Sequence, residues 1–228
     1  MNDLTSIIIR TYNSCVFIET ALKSIFTQTL DASRYEILVI DDGSSDNIEE
    51  ALKPYQKNLR FIKQDHKGFL AALNLGIANA NGEYLTILDG DDELPPRALQ
   101  ELLDALRQHT DAAFAYGDYY QEDMATKKRI LILLQGNVFN SIAAGILWKK
   151  RVLEEMNGYD ETINFAEYDL LIRALKKYQG IYVPKPVYIY YRHPGSITTN
   201  KERNQQAIEQ LKKIYGDSKE VNQIRTYE

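Results

Sequence analysis

The chain has 228 residues, 44% of them hydrophobic, and a formal net charge of −5. That length suits one sizeable α/β domain or two small ones, and the acidic balance argues against a general nucleic-acid binder. The single cysteine, Cys15, excludes an internal disulfide framework, no leader pattern precedes the first strand, and no apolar run approaches the ~20 residues of a membrane span, so a cytoplasmic protein is expected.

Ser6 to Arg10 is a short apolar run of the kind buried on both faces of a sheet. Thr11-Tyr12-Asn13-Ser14 breaks it, and Val16 to Gln28 then carries Ile18, Leu22, Ile25 and Phe26 at helical spacing. A second strand, Tyr35 to Ile40, ends on Asp41-Asp42-Gly43-Ser44-Ser45-Asp46, where Ser45 or Asp46 can cap a helix running to about Pro54. Leu59 to Gln64 reads as a strand, Gly68 to Asn79 as a helix, and Glu83 to Leu88 as a central strand. This alternation predicts an α/β fold with a mostly parallel central sheet flanked by helices.

The central strand ends on Asp89-Gly90-Asp91-Asp92, at the sheet edge where ligands bind in open α/β folds. Three carboxylates that close repel one another unless a cation or a hydrogen-bond network compensates. Hard oxygen ligands of this kind suit Mg2+ or Mn2+, which hold phosphates in turn. An acidic turn capping the next helix is the plainer alternative. The two acidic edges, at Asp41-Asp42 and at Asp89 to Asp92, are expected in neighbouring strands on either side of a crevice.

Beyond the acidic turn, Ala98, Leu99, Leu102, Leu103 and Leu106 form an apolar helical stripe. Ala112 to Tyr120 and Lys128 to Leu134 read as two strands, while Asn137 to Leu147 is ambiguous. Trp148 to Met156 reads as a short helix and Ala166 to Gln179 as a longer one. Gly180 to Tyr191 is extended but broken by Pro184 and Pro186, Lys201 to Tyr215 is a polar amphipathic helix, and the last dozen residues read as loosely ordered. Residues 1–215 are taken as one domain with a donor half (1–92) and an acceptor half (93–200), and 216–228 as a tail. Basic groups such as Lys127-Lys128-Arg129 read first as a solvated face, with peripheral contact to anionic lipid as the alternative.

Three ordered motifs, Ser6 to Asn13, Val39 to Asp46 and Gly82 to Asp92, resemble the family 2 glycosyltransferases of the GT-A fold. Weaker matches continue through Gly158 to Glu161, Glu167 to Leu170 and Tyr191 to Ser196. The resemblance implies inverting transfer of a sugar from a nucleoside-diphosphate sugar, uridine-linked as first choice, to a saccharide or lipid-linked saccharide acceptor. It implies Mn2+ or Mg2+ at a D-x-D motif, with Asp91 the direct ligand and Asp89 and His193 beside it. Thr11, Tyr12, Asn13, Asp41, Asp42, Asp89 and Gly90 are implied at the nucleotide, and Arg192 and Ser196 at the diphosphate. His66 and His109 have no such context and read as structural or solvated.

The sequence departs from the family at Arg10, where proline is usual, and at Leu73, where arginine often stands. A third departure is Ala166-Glu167, which replaces a Glu-Asp pair. The base is therefore Glu167 as first choice, on the helix face shared with Leu171, or Asp169, expected to point away from that face. A non-catalytic sugar-nucleotide binder is the rival from another class. A nucleotidyltransferase lacks its Gly-rich basic loop here.

Overall fold

The computed structural model describes residues 3–142, 144–193, 196 and 200–224. Its first half runs β1 (Thr5–Thr11), α1 (Ile18–Phe26), β2 (Tyr35–Asp41), α2 (Ile48–Leu52), β3 (Arg60–Lys63), α3 (Phe69–Asn79) and β4 (Tyr84–Asp89). The four strands are parallel in the order β3-β2-β1-β4. Ile7, Ile8 and Ile9 are fully buried because successive side chains meet helices on opposite faces of the sheet. Every strand therefore ends at one edge, and the polar residues that follow each strand collect there.

One expectation about that edge is corrected. The strands carrying Asp41 and Asp89 are not neighbours, since β1 lies between them. Thr11 pairs with Asp41 on one side, and Arg10 pairs with Asp89 on the other. Arg10, the last residue of the first run, thus stands directly beside the start of the acidic turn. A second correction concerns α2, whose N-cap Asn47 makes no side-chain cap bond. Asp46 instead accepts from the Cys15 amide at 2.8 Å, tying the loop after β2 to the loop after β1.

The second half runs α4 (Ala98–Gln108), β5 (Phe114–Asp123), β6 (Arg129–Ile132), β7 (Ile146–Lys149), α5 (Lys150–Glu155), α6 (Ala166–Leu175), β8 (Gly180–Arg192), α7 (Lys201–Tyr215) and α8 (Lys219–Asn222). β7 extends the sheet antiparallel to both β4 and β5, and β8 runs parallel along the whole of β5. Trp148 lies in β7, outside the helix the sequence suggested. Its ring packs 4.5 Å from Phe114, and its backbone pairs with Leu85 and Phe114. The aromatic and β-branched run wins there because it fills the gap between two buried strands.

β8 also continues through Pro184 and Pro186, where the sequence suggested a break. Its register on β5 shifts on both sides of Asp118, so the prolines stand where the ladder is already irregular. Gly117 faces this irregular stretch, and a Cβ there would lie 2.6 Å from the Lys185 carbonyl oxygen and 2.9 Å from that of Val183. Backbone cannot yield as a side chain does. Gly117→Ala is expected to cost about 1–3 kcal/mol by equilibrium denaturation. Unchanged stability would mean that the strand pair is looser than these distances imply.

The C-terminal residues are more ordered than their polarity suggested. Val221 and Ile224 are buried, and Ser218 caps α8 through the Val221 amide. Residues 225–228 lie outside the described residues.

Candidate active site

A cleft of about 600 Å³ opens above the carboxyl edge of the sheet. At one end the loops after β1 and β2 are knitted together. The Asn13 amide donates to Ser44 Oγ at 2.8 Å, and Asn13 Oδ1 accepts from the Ser45 amide at 2.9 Å. Asn13 takes a positive φ of 50° to do this, a conformation Asn tolerates better than most residues. Asp42 lines the cleft, nearly buried, with its carboxylate accepting from the amides of Lys67 and Gly68 and from Gln64 Nε2. His66 closes on Asp42 at 2.9 Å, and the Tyr12 ring stacks on the imidazole at 4.3 Å. Thr11 also lines this end, its buried hydroxyl without a hydrogen-bond partner among the described residues.

Asp41 does not line the cleft. It is fully buried, accepts from the Ser44 amide and hydroxyl, and lies 3.7 Å from Lys63 Nζ. The two adjacent aspartates thus part company, one holding the loop and one facing the ligand space. His66, set aside on sequence grounds, belongs to the cleft wall. The signal that could have found it was its place just before Gly68 at the mouth of α3.

In the middle of the cleft, the turn after β4 is clamped from β8. The amides and carbonyls of Glu93 and Ile189 exchange two hydrogen bonds, at 2.9 and 3.1 Å. Tyr188 Oη donates to Asp92 Oδ2 at 2.9 Å and accepts from the Asp89 amide at 3.1 Å, while the Tyr191 amide donates to Asp92 Oδ1 at 2.8 Å. Both Asp92 oxygens are therefore committed to β8. Burial, with Asp91 and Asp89 close by, pushes the Asp92 carboxyl well above the usual carboxylate range. Asp91 faces the cleft, and His193 Nε2 lies 2.9 Å from its Oδ2. The His193 ring is stacked on Phe17 at 5.5 Å, and the Ser196 hydroxyl accepts from the His193 amide at 3.0 Å.

Asp89 is held differently. Arg10 grips both its oxygens, Nε to Oδ1 at 2.8 Å and Nη2 to Oδ2 at 3.0 Å. This fork is the strongest ion-pair geometry available to a carboxylate. The Arg10 guanidinium also lies 5.0 Å from the centre of the Phe69 ring. Arg192, by contrast, is exposed at the end of β8 opposite Asp123 and does not line the cleft.

The far wall is the start of α6. Glu167 lines the cleft there, in its first turn. Burial raises its carboxyl above the usual range. Its own backbone amide, Arg10 and, more weakly, Arg203 work against that rise, and Asp89 adds to it. Asp169 points elsewhere and is almost fully buried. It accepts from Arg173 Nε at 2.7 Å and from the Tyr215 hydroxyl of α7. The helical phase separates the two carboxylates as the sequence spacing suggested, although Asp169 meets another helix and not solvent.

The glycosyl transferase family 2 model matches residues 6–168, which is most of the chain and takes in the cleft residues from Arg10 to Glu167, while Asp169, β8, His193, Ser196 and α7 lie beyond it. The chain belongs to glycosyl transferase family 2. It is 29% identical over 221 residues to the uncharacterized glycosyltransferase EpsJ of Bacillus subtilis, covering 87% of this chain and 64% of that protein. It is also 29% identical over 222 residues to a Campylobacter jejuni GalNAc(5)-diNAcBac-PP-undecaprenol beta-1,3-glucosyltransferase, covering 87% and 68%. Among solved structures, residues 1–349 of TarS from S. aureus in complex with UDP-GlcNAc align with a TM-score of 0.72 at 17% identity, covering 96% of this chain and 69% of that one. The mannosyltransferase PcManGT from Pyrobaculum calidifontis, in complex with GDP-Man and Mn2+, aligns at 0.70 and 18% identity, covering 94% and 65%. These structural likenesses show the GT-A fold. The chain spans 41% and 64% of two of the curated relatives it matches, a Streptococcus pneumoniae glycosyltransferase, GlyG, and EpsJ.

The donor set of this family 2 chain suits a hard divalent ion. Oxygen atoms of Asp89, Asp91 and Asp92 all lie within 4.8 Å of one another, and the His193 nitrogen converges on Asp91. Within that set Asp89 is held by Arg10 and Asp92 by β8, while Asp91 faces the cleft opposite His193. Among the described residues no helix is long and apolar enough to cross a membrane.

Proposed function

We propose that this chain transfers a sugar from a nucleoside-diphosphate sugar, uridine-linked, to a hydroxyl of a saccharide or lipid-linked saccharide acceptor, with inversion at the anomeric carbon. The setting would be assembly of bacterial polysaccharide or another glycoconjugate. The observation that carries this reading is the arrangement of one cleft: a stacked aromatic slot at one end, an acidic turn in the middle, and a half-buried carboxylate on the opposite wall. TarS in complex with UDP-GlcNAc supports the uridine choice, and the name of the Campylobacter relative supports a lipid-linked acceptor.

In this reading each residue has a role that its position supports. Tyr12 over His66 takes the base, Asp42 and the unpartnered Thr11 hydroxyl hold the nucleoside, and Asn13 keeps their loops in place. Gly90 lines the cleft between Asp89 and Asp91, on the nucleotide's path to the acidic turn. Asp91 and His193 would hold the divalent ion, and Ser196 fixes the His193 loop. When bound, that ion would neutralise the charge developing on the leaving diphosphate. Asp89, locked by Arg10, presents a fixed edge beside the sugar. Glu167 takes the proton of the acceptor hydroxyl as the acceptor oxygen bonds to the anomeric carbon and the bond to the diphosphate breaks on the opposite face. A single displacement of this kind inverts configuration.

A panel of sugar nucleotides with Mn2+ tests the reading through release of nucleoside diphosphate, first without and then with saccharide acceptors. Release from one uridine-linked donor, and a product of inverted anomeric configuration by NMR, are expected. A product of retained configuration would sink the single displacement. Tight UDP binding with no release from any donor would favour the non-catalytic binder.

A further inference from the structure

Helix α7 lies beyond the stretch matched by the family model, yet it delivers a side chain to the cleft beside Glu167. Named contacts hold it in place. Gln210 accepts from the Asn164 amide at 3.0 Å and donates to the Thr162 carbonyl at 2.9 Å, pinning α7 to the loop that precedes α6. Tyr215 reaches Asp169, Lys176 lies 4.8 Å over the Tyr215 ring, and Ala207 and Leu211 are fully buried between these ends. The N-cap Asn200 accepts from the Arg203 amide at 3.0 Å, so the first turn, which carries Arg203, is not frayed.

Arg203 lines the cleft with its guanidinium 5.7 Å from the centre of the Phe69 ring, the same ring that lies under Arg10. The two cations differ in one respect. Arg10 spends its donors on Asp89, whereas among the described residues the Arg203 side chain makes no hydrogen bond or ion pair. It acts on Glu167 only at a distance. A partly buried guanidinium on an aromatic face has lost some of its water on that side. Its planar fork of donors remains available to a ligand in the cleft. That fork matches carboxylate or phosphate geometry and has no counterpart in a neutral hydroxyl.

We infer that Arg203, set on the Phe69 ring beside Glu167, is an anion-binding subsite that selects a saccharide carrying a carboxylate or phosphate. The charge sits either on the transferred sugar or on the acceptor. This rests on the transferase reading for its place in the reaction, but not for its existence as a binding site.

Ligand-observed NMR and calorimetry test it with two matched pairs. The donor pair is UDP-glucose against UDP-glucuronate, with Mn2+. The acceptor pair is methyl glucoside against methyl glucuronide and glucose 6-phosphate, measured both without nucleotide and with UDP and Mn2+ bound. In the unmodified protein one pair should favour its charged member by about tenfold or more. Arg203→Met keeps the stem over Phe69 and removes the charge. It should abolish that preference and leave the neutral member's affinity unchanged, and Arg203→Lys should restore part of it. Preference within the donor pair places the charge on the transferred sugar; preference within the acceptor pair places it on the acceptor. No charge preference in either pair, or one that survives Arg203→Met, overturns the inference. UDP and Mn2+ titration alone reports on the nucleotide reading. Failure there with a positive nucleotide-free acceptor pair would remove the transferase assignment and keep the subsite.

Discussion

Glu167→Gln is expected to keep sugar-nucleotide binding and to cut transfer to the acceptor by about 10²–10⁴-fold, the usual contribution of a positioned general base. The same substitution should not reduce stability at neutral pH. Burial raises the Glu167 carboxyl above its ordinary range. A group whose folded value is raised favours folding below its unfolded value and loses that contribution as pH rises through the folded one. The ionised form of Glu167 is therefore the one the fold disfavours, and Gln, which carries no charge, does not meet that cost. The acid limb of kcat/KM should lie above the ordinary glutamate range, because the base must be ionised to act. Arg10 and Arg203 facing it hold the limb down, while Asp89 lifts it. Asp169→Asn should behave in the opposite way. It loosens the contacts to Arg173 and Tyr215, at a cost of about 1–3 kcal/mol by denaturation, with transfer retained in the folded fraction. If folded Asp169→Asn binds donor and is the variant without transfer, the assignment of the base is wrong.

Asp91→Asn is expected to remove the metal-dependent part of UDP affinity and to lower turnover by about 10²–10⁴-fold. Charge neutralisation at the leaving group is worth several kcal/mol, and each 1.4 kcal/mol is tenfold. His193→Ala should weaken Mn2+ binding less, since a neutral imidazole supplies a lone pair but no charge. Asp92→Asn should leave Mn2+ binding in place and show its effect in unfolding, because both Asp92 oxygens serve Tyr188 and Tyr191. Calorimetric titration of UDP with and without Mn2+ separates these cases. Equal UDP affinity in the unmodified protein with and without the ion would remove the reason for assigning a metal here at all.

The parts of the site that follow a strand were legible in the sequence, and the parts that depend on packing between distant segments were not. A buried strand followed by acidic residues has a local signature, and so Asp42, Asp89 and Asp91 stood out before any coordinates. The phase of α6 separated Glu167 from Asp169 for the same reason. That Asp41 and Asp42 divide their work could not be read, because the division depends on Lys67 and Gly68 offering amides to only one of them. Nor could the order of strands, which inserts β1 between the acidic edges and brings Arg10 onto Asp89. Trp148 misled for a related reason: β7 passes into α5 between Lys149 and Lys150 with no intervening turn, and such a boundary has no local mark in the sequence. Arg203 carried no signal at all in a polar helix with charges around its circumference.

The attachment of α7 has a practical corollary for comparing or recombining relatives. Its hold on the rest of the protein runs through a few named contacts, chiefly Gln210 to the loop before α6 and Tyr215 to Asp169. A helix with those two anchors and a different residue at position 203 would dock in the same place while presenting a different group to the cleft. Grafting this one helix between relatives is thus a way to transplant acceptor or sugar preference without touching the nucleotide end. Conversely, a boundary drawn at the end of the family match, residue 168, would cut α6 in its first turn, remove Asp169 and Arg173 together with Tyr215, and discard the selector along with the strut.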